Sequence, residues 1–430
     1  MLAKIISILR QSLRSPYYGF VQGHSYLNTG QTTRLRGLVG VESKAIIDKY
    51  EAEFSTIVGD GSSVSFAAGR MGFYSLMRIL GIGEGDEVIL LGATCAVMPN
   101  AVLRAGAHPI FSDVDPETFG SSIKAIERCV TPKTRLIVAQ HSFGIPCDIL
   151  PIVELGKAKS IFILEDCALS LGSKYLGTSV GNFGDASLFS TDHSKPMNTI
   201  AGGVIYSNNS VLVDRLRTFR DSLPAVPLNK QRSLFRQFLL ERNGCLPQNY
   251  AMFALRQRID SFLAKISSFP SPFFGEDSGN LVNPSYPYPA RMPVFLAQLG
   301  LYECDRWEEV ATQRQKLLAS LIDLISKLSE HNRLPVAYTN GCLDIIPLRL
   351  AWTENEAEII RNELSEIVNI GWTWFLQPVI ATSVPIEKLG YIQGSCPVSE
   401  KIGPQTINVP CNIYPHDSDE FIQRIIAKLG

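Results

Sequence analysis

Between residues 45 and 210 the apolar positions follow two alternating rhythms. Short, mostly β-branched runs predict strands over 63–67, 86–91, 109–113, 135–139, 161–164, 186–189 and 204–206. Between them apolar residues recur every third or fourth position, which predicts helices over 51–58, 69–80, 97–104, 122–129 and 149–158. Strands separated by helices of this length build a mainly parallel seven-stranded sheet covered on both faces. In such sheets, ligands collect at the carboxyl ends of the strands.

After residue 210 the pattern loosens. Helical periodicity returns over 234–241 and 253–266, and the stretch 270–289, rich in Pro, Gly and Ser, reads as an extended loop. A long helix is predicted over 293–328 with a break near Cys304, its apolar side carrying Leu317, Leu318, Leu321, Leu324, Ile325 and Leu328. Strands over 344–350 and 406–409 with helices over 354–364 and 419–429 make a compact α+β unit. The expected organisation is an N-terminal segment (1–40), a large α/β domain (41–300, with an atypical stretch at 222–285), and a bridging helix with a small C-terminal domain (301–430). In the N-terminal segment Leu2, Ile5, Ile6, Leu9 and Leu13 recur at helical spacing with Lys4, Arg10 and Arg14 between them. Such a helix packs on the body of the protein or on a second subunit, or else lies on a membrane surface.

Composition narrows the function classes. At 430 residues two domains are expected, and 45% hydrophobic against 19% charged residues supplies a large core rather than a disordered chain. Lys plus Arg (40) balances Asp plus Glu (41) without a basic run, which argues against a nucleic-acid partner. No apolar run reaches the ~18–20 residues that span a bilayer. The 9 cysteines are scattered singly with no zinc-type spacing, so no metal site is expected. Their odd number, without a secretory signal, fits reduced thiols in a cytoplasm.

Two stretches carry the chemistry. Ile163-Leu-Glu-Asp-Cys-Ala168 is a strand end bearing two carboxylates, and Phe189-Ser-Thr-Asp-His-Ser-Lys195 is a second strand end followed by a lysine. A carboxylate and a lysine delivered by separate strands are what a pyridoxal phosphate (PLP) enzyme needs. The amine condenses with the cofactor aldehyde, and the carboxylate keeps the pyridine nitrogen protonated. Alone, Asp166 reads equally as a cap or salt-bridge partner and Lys195 as solvated surface. Ala67-Ala-Gly-Arg-Met-Gly72, between a strand and a helix, offers a phosphate cradle in which Gly69 exposes backbone N–H groups and Arg70 adds charge. A plain tight turn fits the same residues. Ser190 is a natural phosphate donor near Lys195, and His193 is either a proton carrier or a structural histidine.

These residues, with Leu80-Gly-Ile-Gly-Glu-Gly-Asp-Glu-Val88, Asp113-Val-Asp-Pro-Glu-Thr-Phe119, His141-Ser-Phe-Gly144, Gly202-Gly203 and Ala290-Arg-Met292, occur in one order along the chain. That ordered set resembles the DegT/StrS family of PLP-dependent sugar aminotransferases, which have the aspartate aminotransferase fold. The resemblance implies Lys195 as the Schiff-base lysine and Asp166 as partner of the pyridine nitrogen. It places Gly69, Arg70, Met71, Cys95, Ser190 and His193 around the cofactor. It also implies two half-reactions through pyridoxamine phosphate, with glutamate as the usual donor and a nucleotide-linked keto-sugar as acceptor. A homodimer is implied too, with shared sites and the segment near Arg291 crossing between subunits.

The chain departs from the family pattern at Cys95, where an aromatic residue commonly stacks on the ring, at Leu169 in place of Gln or His, and at Pro289 in place of Asn. These departures and the unusual stretch 222–285 keep two alternatives open: a PLP-dependent sugar dehydratase or lyase, and a non-catalytic regulatory relative.

Overall fold

The computed structural model describes residues 15–266, 286–328, 334–370, 375–382 and 384–429, with 258, 261–266 and 328 as backbone only. The predicted N-terminal helix and most of the predicted loop over 270–289 lie outside the described residues. Seven strands form the main sheet: β1 (Ser62–Phe66), β2 (Glu87–Leu91), β3 (His108–Ser112), β4 (Thr134–Gln140), β5 (Phe162–Asp166), β8 (Ala186–Ser190) and β9 (Gly203–Ser207). Two short strands, β6 (Lys174–Tyr175) and β7 (Thr178–Ser179), form a hairpin outside that sheet. The order across the sheet is β1-β9-β8-β5-β4-β2-β3. β9 pairs antiparallel with both its neighbours and the other pairs are parallel, so six strands end at one edge. β5 is the central strand.

The sheet is apolar on both faces because helices cover both. Val64, Phe66, Val88, Leu90, Leu164, Leu188 and Val204 belong to a core shared with the helices Lys44–Val58, Gly69–Leu80 and Val294–Cys304. Ile89, Ile137 and Ile163 belong to a second layer against Ile149–Lys159. The alternation of Leu164 with Ile163 between these layers is the period-two pleat of a strand. One buried polar contact ties the first layer together. Glu51 Oε1 accepts from Ser65 N–H (2.8 Å) and Ser65 Oγ–H (2.7 Å), and pairs with buried Arg220.

The C-terminal core gathers Leu317, Leu321 and Ile325 of the helix Trp307–Leu328 with Leu350, Trp352, Ile407, Val409, Phe421 and Ile425. The predicted break near Cys304 is real, since helices end at Cys304 and restart at Trp307. The strand predicted over 344–350 is not continuous. It divides into β10 (Leu343–Asp344) and β11 (Arg349–Thr353), the latter paired with β12 (Thr406–Pro410). Pro347 has no N–H for a ladder, and the Ile346 N–H is taken by Ser173 Oγ (2.9 Å).

Among the described residues three helices escaped the periodicity reading, Thr29–Gly37, Ser210–Asp221 and the short Pro397–Ile402. The first two are marked instead by their caps. Asn28 and Gln31 exchange bonds in a capping box, and Asn209 Oδ1 accepts from Leu212 N–H (3.1 Å).

Replacing Arg220 by Ala strands the Glu51 carboxylate in the core, with only half-exposed Arg217 3.9 Å from its other oxygen. The expected loss is about 3–5 kcal/mol, read as a lowered urea midpoint.

Candidate active site

The six like-directed strand ends bring the predicted residues to one edge of the sheet. In the ladder, Asp166 pairs with Gln140 on one side and Leu188 on the other, and Ser190 pairs with Gly203. A β-strand points successive side chains to opposite faces, so Glu165 and Asp166 part company at the end of β5.

Glu165 is saturated. Its Oε1 accepts from Phe183 N–H (2.7 Å) and Gly184 N–H (2.8 Å), and its Oε2 from Gly181 N–H (2.8 Å). His141 completes the set at 3.1 Å. Because Cys147 N–H donates to His141 Nδ1 (3.0 Å), the ring proton sits on Nε2 and is given to Glu165. His141, Glu165 and Cys167 lie within metal-ligand distance of one another. The Glu165 oxygens and both His141 nitrogens are nevertheless committed to hydrogen bonds, so this is a structural lock and not an ion site.

Asp166 differs. Its Oδ1 accepts from Ala168 N–H (3.0 Å), and among the described residues it has no ion pair. Burial raises the carboxyl above its usual range, opposed by the Ala168 N–H and by the charge of Lys195. A buried carboxylate with lone pairs to spare is a seat for a cationic group. Lys195 stands in a tight turn, its N–H bonded to Asp192 O (2.9 Å), and is half-buried.

Gly69 opens the helix Gly69–Leu80 after Ala68, so its first-turn N–H groups precede that helix's own ladder. β9 crosses this point so closely that a Cβ on Gly203 would meet the Gly69 Cα and N at 2.2 Å. Only glycine fits there. A Cβ on Gly69 would lie 3.5 Å from Ser190 Cβ, which brings the predicted cradle and the predicted hydroxyl together. Arg70 is half-buried beside them, and its carbonyl accepts from Tyr288 Oη–H (3.1 Å). Met71 is fully buried in the core, with its N–H given to Ala68 O (3.0 Å).

Cys95 sits on the loop after β2 and bridges to Ile380, where Ala96 N–H donates to Ile380 O (2.8 Å). The C-terminal domain thus closes over that loop. It is latched again at Asp113, whose carboxylate accepts from Val398 N–H (2.7 Å) and Ser399 N–H (2.8 Å) at the start of the helix Pro397–Ile402. Leu169 is buried in the C-terminal core, and Ala290 O accepts from Ala67 N–H (3.1 Å) just ahead of the cradle.

His193 has a partner that sequence reasoning did not supply. Its Nδ1 lies 2.9 Å from Oε1 of Glu241, a fully buried residue of the helix Leu228–Gly244. Burial works against a charged ring, but Asp192 and Glu241 prevail and push His193 up to about 9. No local motif marks Glu241, which lies 48 positions from His193.

The Asp166 carboxyl titrates higher in the folded apoprotein than in the unfolded chain, where the value is about 3.9. Its contribution to stability is therefore present below that value and is lost as pH rises through the raised one. Asp166→Asn apoprotein should gain thermal stability relative to wild type at about pH 7.5 but not near pH 4. A melting-temperature difference that does not change with pH would contradict this account.

Comparison with known proteins follows the same lines. Over 174 residues the chain is 40% identical to GDP-perosamine synthase of Escherichia coli O157:H7, which is 40% of this chain and 48% of that protein. The chain thus spans about half the length of such curated relatives. Over 393 residues it is 24% identical to a pleiotropic regulatory protein of Geobacillus stearothermophilus, covering 89% and 88% of the two chains. A putative sugar aminotransferase from Streptococcus pneumoniae, solved in its PLP form, superposes with TM-score 0.67 at 17% identity, covering 95% of this chain and 97% of that one. At that identity the likeness shows the fold. The DegT/DnrJ/EryC1/StrS aminotransferase family matches residues 41–245 and 271–430. The matched residues hold the whole edge of the sheet where Asp166, Lys195 and the Gly69 cradle meet, and the chain belongs to that family.

Proposed function

We propose that the protein is a PLP-dependent aminotransferase that moves an amino group, from glutamate as donor, to a keto-sugar carried on a nucleotide. The observation that carries this reading is the pairing at the sheet edge. A buried carboxylate with no ion pair among the described residues ends β5 and a lysine follows the neighbouring strand β8, beside the close backbone contact of Gly203 with Gly69.

The residues fit the cofactor. Asp166 would hold the pyridine nitrogen, and the N–H groups of Gly69 and Arg70 with Ser190 would hold the phosphate. When bound, PLP supplies an aldehyde and a ring that accepts electrons from the substrate carbon. Lys195 Nζ would be the amine that holds that aldehyde, and would carry a proton at the substrate carbon. Asp166 would stay ionised against that ring cation, which would offset the burial that raises its carboxyl. The C-terminal residues Ile380 and Val398 are held against the loop after β2 and against Asp113, on the Cys95 side.

The acceptor class is supported by the names of relatives such as GDP-perosamine synthase and a UDP-sugar 3-aminotransferase. We propose a homodimer whose sites are shared near Arg291, a residue that pairs with Glu42 of its own chain at 3.4 Å. Among the described residues no helix is long and apolar enough to cross a membrane, and a cytoplasmic location accompanies the proposed substrates. A sugar dehydratase or lyase is the lesser enzymatic reading, because Lys195 is retained.

A second reading, a regulator without turnover, draws on the near full-length similarity to the pleiotropic regulatory protein. Protein mixed with PLP should show a visible absorption band that disappears on adding glutamate and is absent in Lys195→Ala. Borohydride reduction should leave a pyridoxyl label on Lys195. A band untouched by glutamate sinks the donor assignment, and no band favours the regulator.

A further inference from the structure

We propose that residues 15–28 and the helix Leu228–Gly244 act as a two-sided clamp on the loop 191–200, with His24 and Glu241 as positioning residues that set where Lys195 stands. This rests on the reading of Lys195 as the cofactor lysine.

The family match begins at residue 41 and is interrupted between 245 and 271, so the strap 15–28 and the helix Pro247–Ile266 lie outside the residues matched by the family. They are nonetheless built together. Tyr17, Val21, Cys245, Tyr250, Ala251 and Phe253 form a separate apolar cluster. Two glycines let the strap lie flat on the helices. A Cβ on Gly19 would fall 1.8 Å from the Tyr250 ring, and one on Gly23 would fall 2.2 Å from the carbonyl oxygen of Glu241.

From this module, contacts reach the lysine loop on both sides. His24 Nε2 lies 2.7 Å from Asn198 O, and Asn198 Nδ2 donates to Gln22 O (3.0 Å). On the other side Glu241 holds His193, two residues before Lys195, while Gln237 Nε2 donates to the same oxygen (2.7 Å). The second Glu241 oxygen is buried and has no hydrogen-bond partner among the described residues. His193 is therefore the cation that makes this buried charge tolerable, and the Glu241 carboxylate loses it if the loop moves away. Arg314 adds a third tie, its Nη2 reaching Pro196 O (3.4 Å). The charged groups facing His193 are Asp192, Glu241 and Lys195.

The test uses full-length apoprotein and hydrogen–deuterium exchange over 191–200, with β5 as internal reference. Gly23→Ala wedges the strap off the helix, and His24→Ala removes one tie without added bulk. Both should raise exchange in the loop about tenfold while β5 stays protected. Gly37→Ala, where a Cβ meets nothing within 4 Å, should leave both unchanged. In Glu241→Gln the His193 midpoint, followed by NMR, should fall by about one unit or more. PLP affinity of the strap variants should weaken about tenfold in parallel with loop exchange. Wild-type exchange in a folded His24→Ala or Gly23→Ala protein overturns the clamp; if Gly23→Ala does not fold, His24→Ala decides alone. Faster loop exchange with no pyridoxyl label on wild-type Lys195 leaves the clamp standing and removes the aminotransferase reading.

Discussion

Two successive carboxylates buried at the end of the central strand are the constraint around which the site is arranged. A charge taken out of water must find donors or a cation. The pleat of β5 turns Glu165 to one face and Asp166 to the other, and each face answers differently. On the Glu165 side, three backbone N–H groups from the turn 181–184 and the His141 ring spend every lone pair. That fixes β5 and the loop leading into β8. On the Asp166 side the donor among the described residues is one backbone N–H, and the carboxyl's burial is only partly offset.

The rest of the sheet edge complements that imbalance. The lysine loop follows β8, which pairs with β5, so the amine reaches the neighbourhood of Asp166 without a long excursion. β9 runs against its neighbours and carries Gly203 to the first turn of the helix Gly69–Leu80. A side chain at that crossing would hold the helix off the sheet. The start of that helix thus depends on a contact between two backbones, at the point where Gly69 lies against Ser190.

Much of this was legible along the chain. The strands that became β1–β5, β8 and β9 and their connecting helices follow from apolar periodicity, because a doubly covered sheet tolerates few polar interruptions. Asp166 and Lys195 stand out as polar residues ending apolar runs, and Gly69 as a glycine between strand and helix. The Asn28–Gln31 and Asn209 caps were equally present, although the helices they begin are short on apolar periodicity. Pro347 explains why the run over 344–350 broke in two. The helix around Glu241 was legible but its pairing with His193 was not, since 48 positions separate the two and only packing brings them together.

Local sequence therefore determined the elements, their order and the polar groups at strand ends, because each rests on spacing within a few residues. Tertiary structure decided which of two adjacent acids is locked and which is left for a cation, since that depends on the turn 181–184 folding back under β5. It also decided the partner of His193 and the seating of the strap on Gly19 and Gly23. Those contacts join residues tens to hundreds of positions apart, and only packing sets their distance.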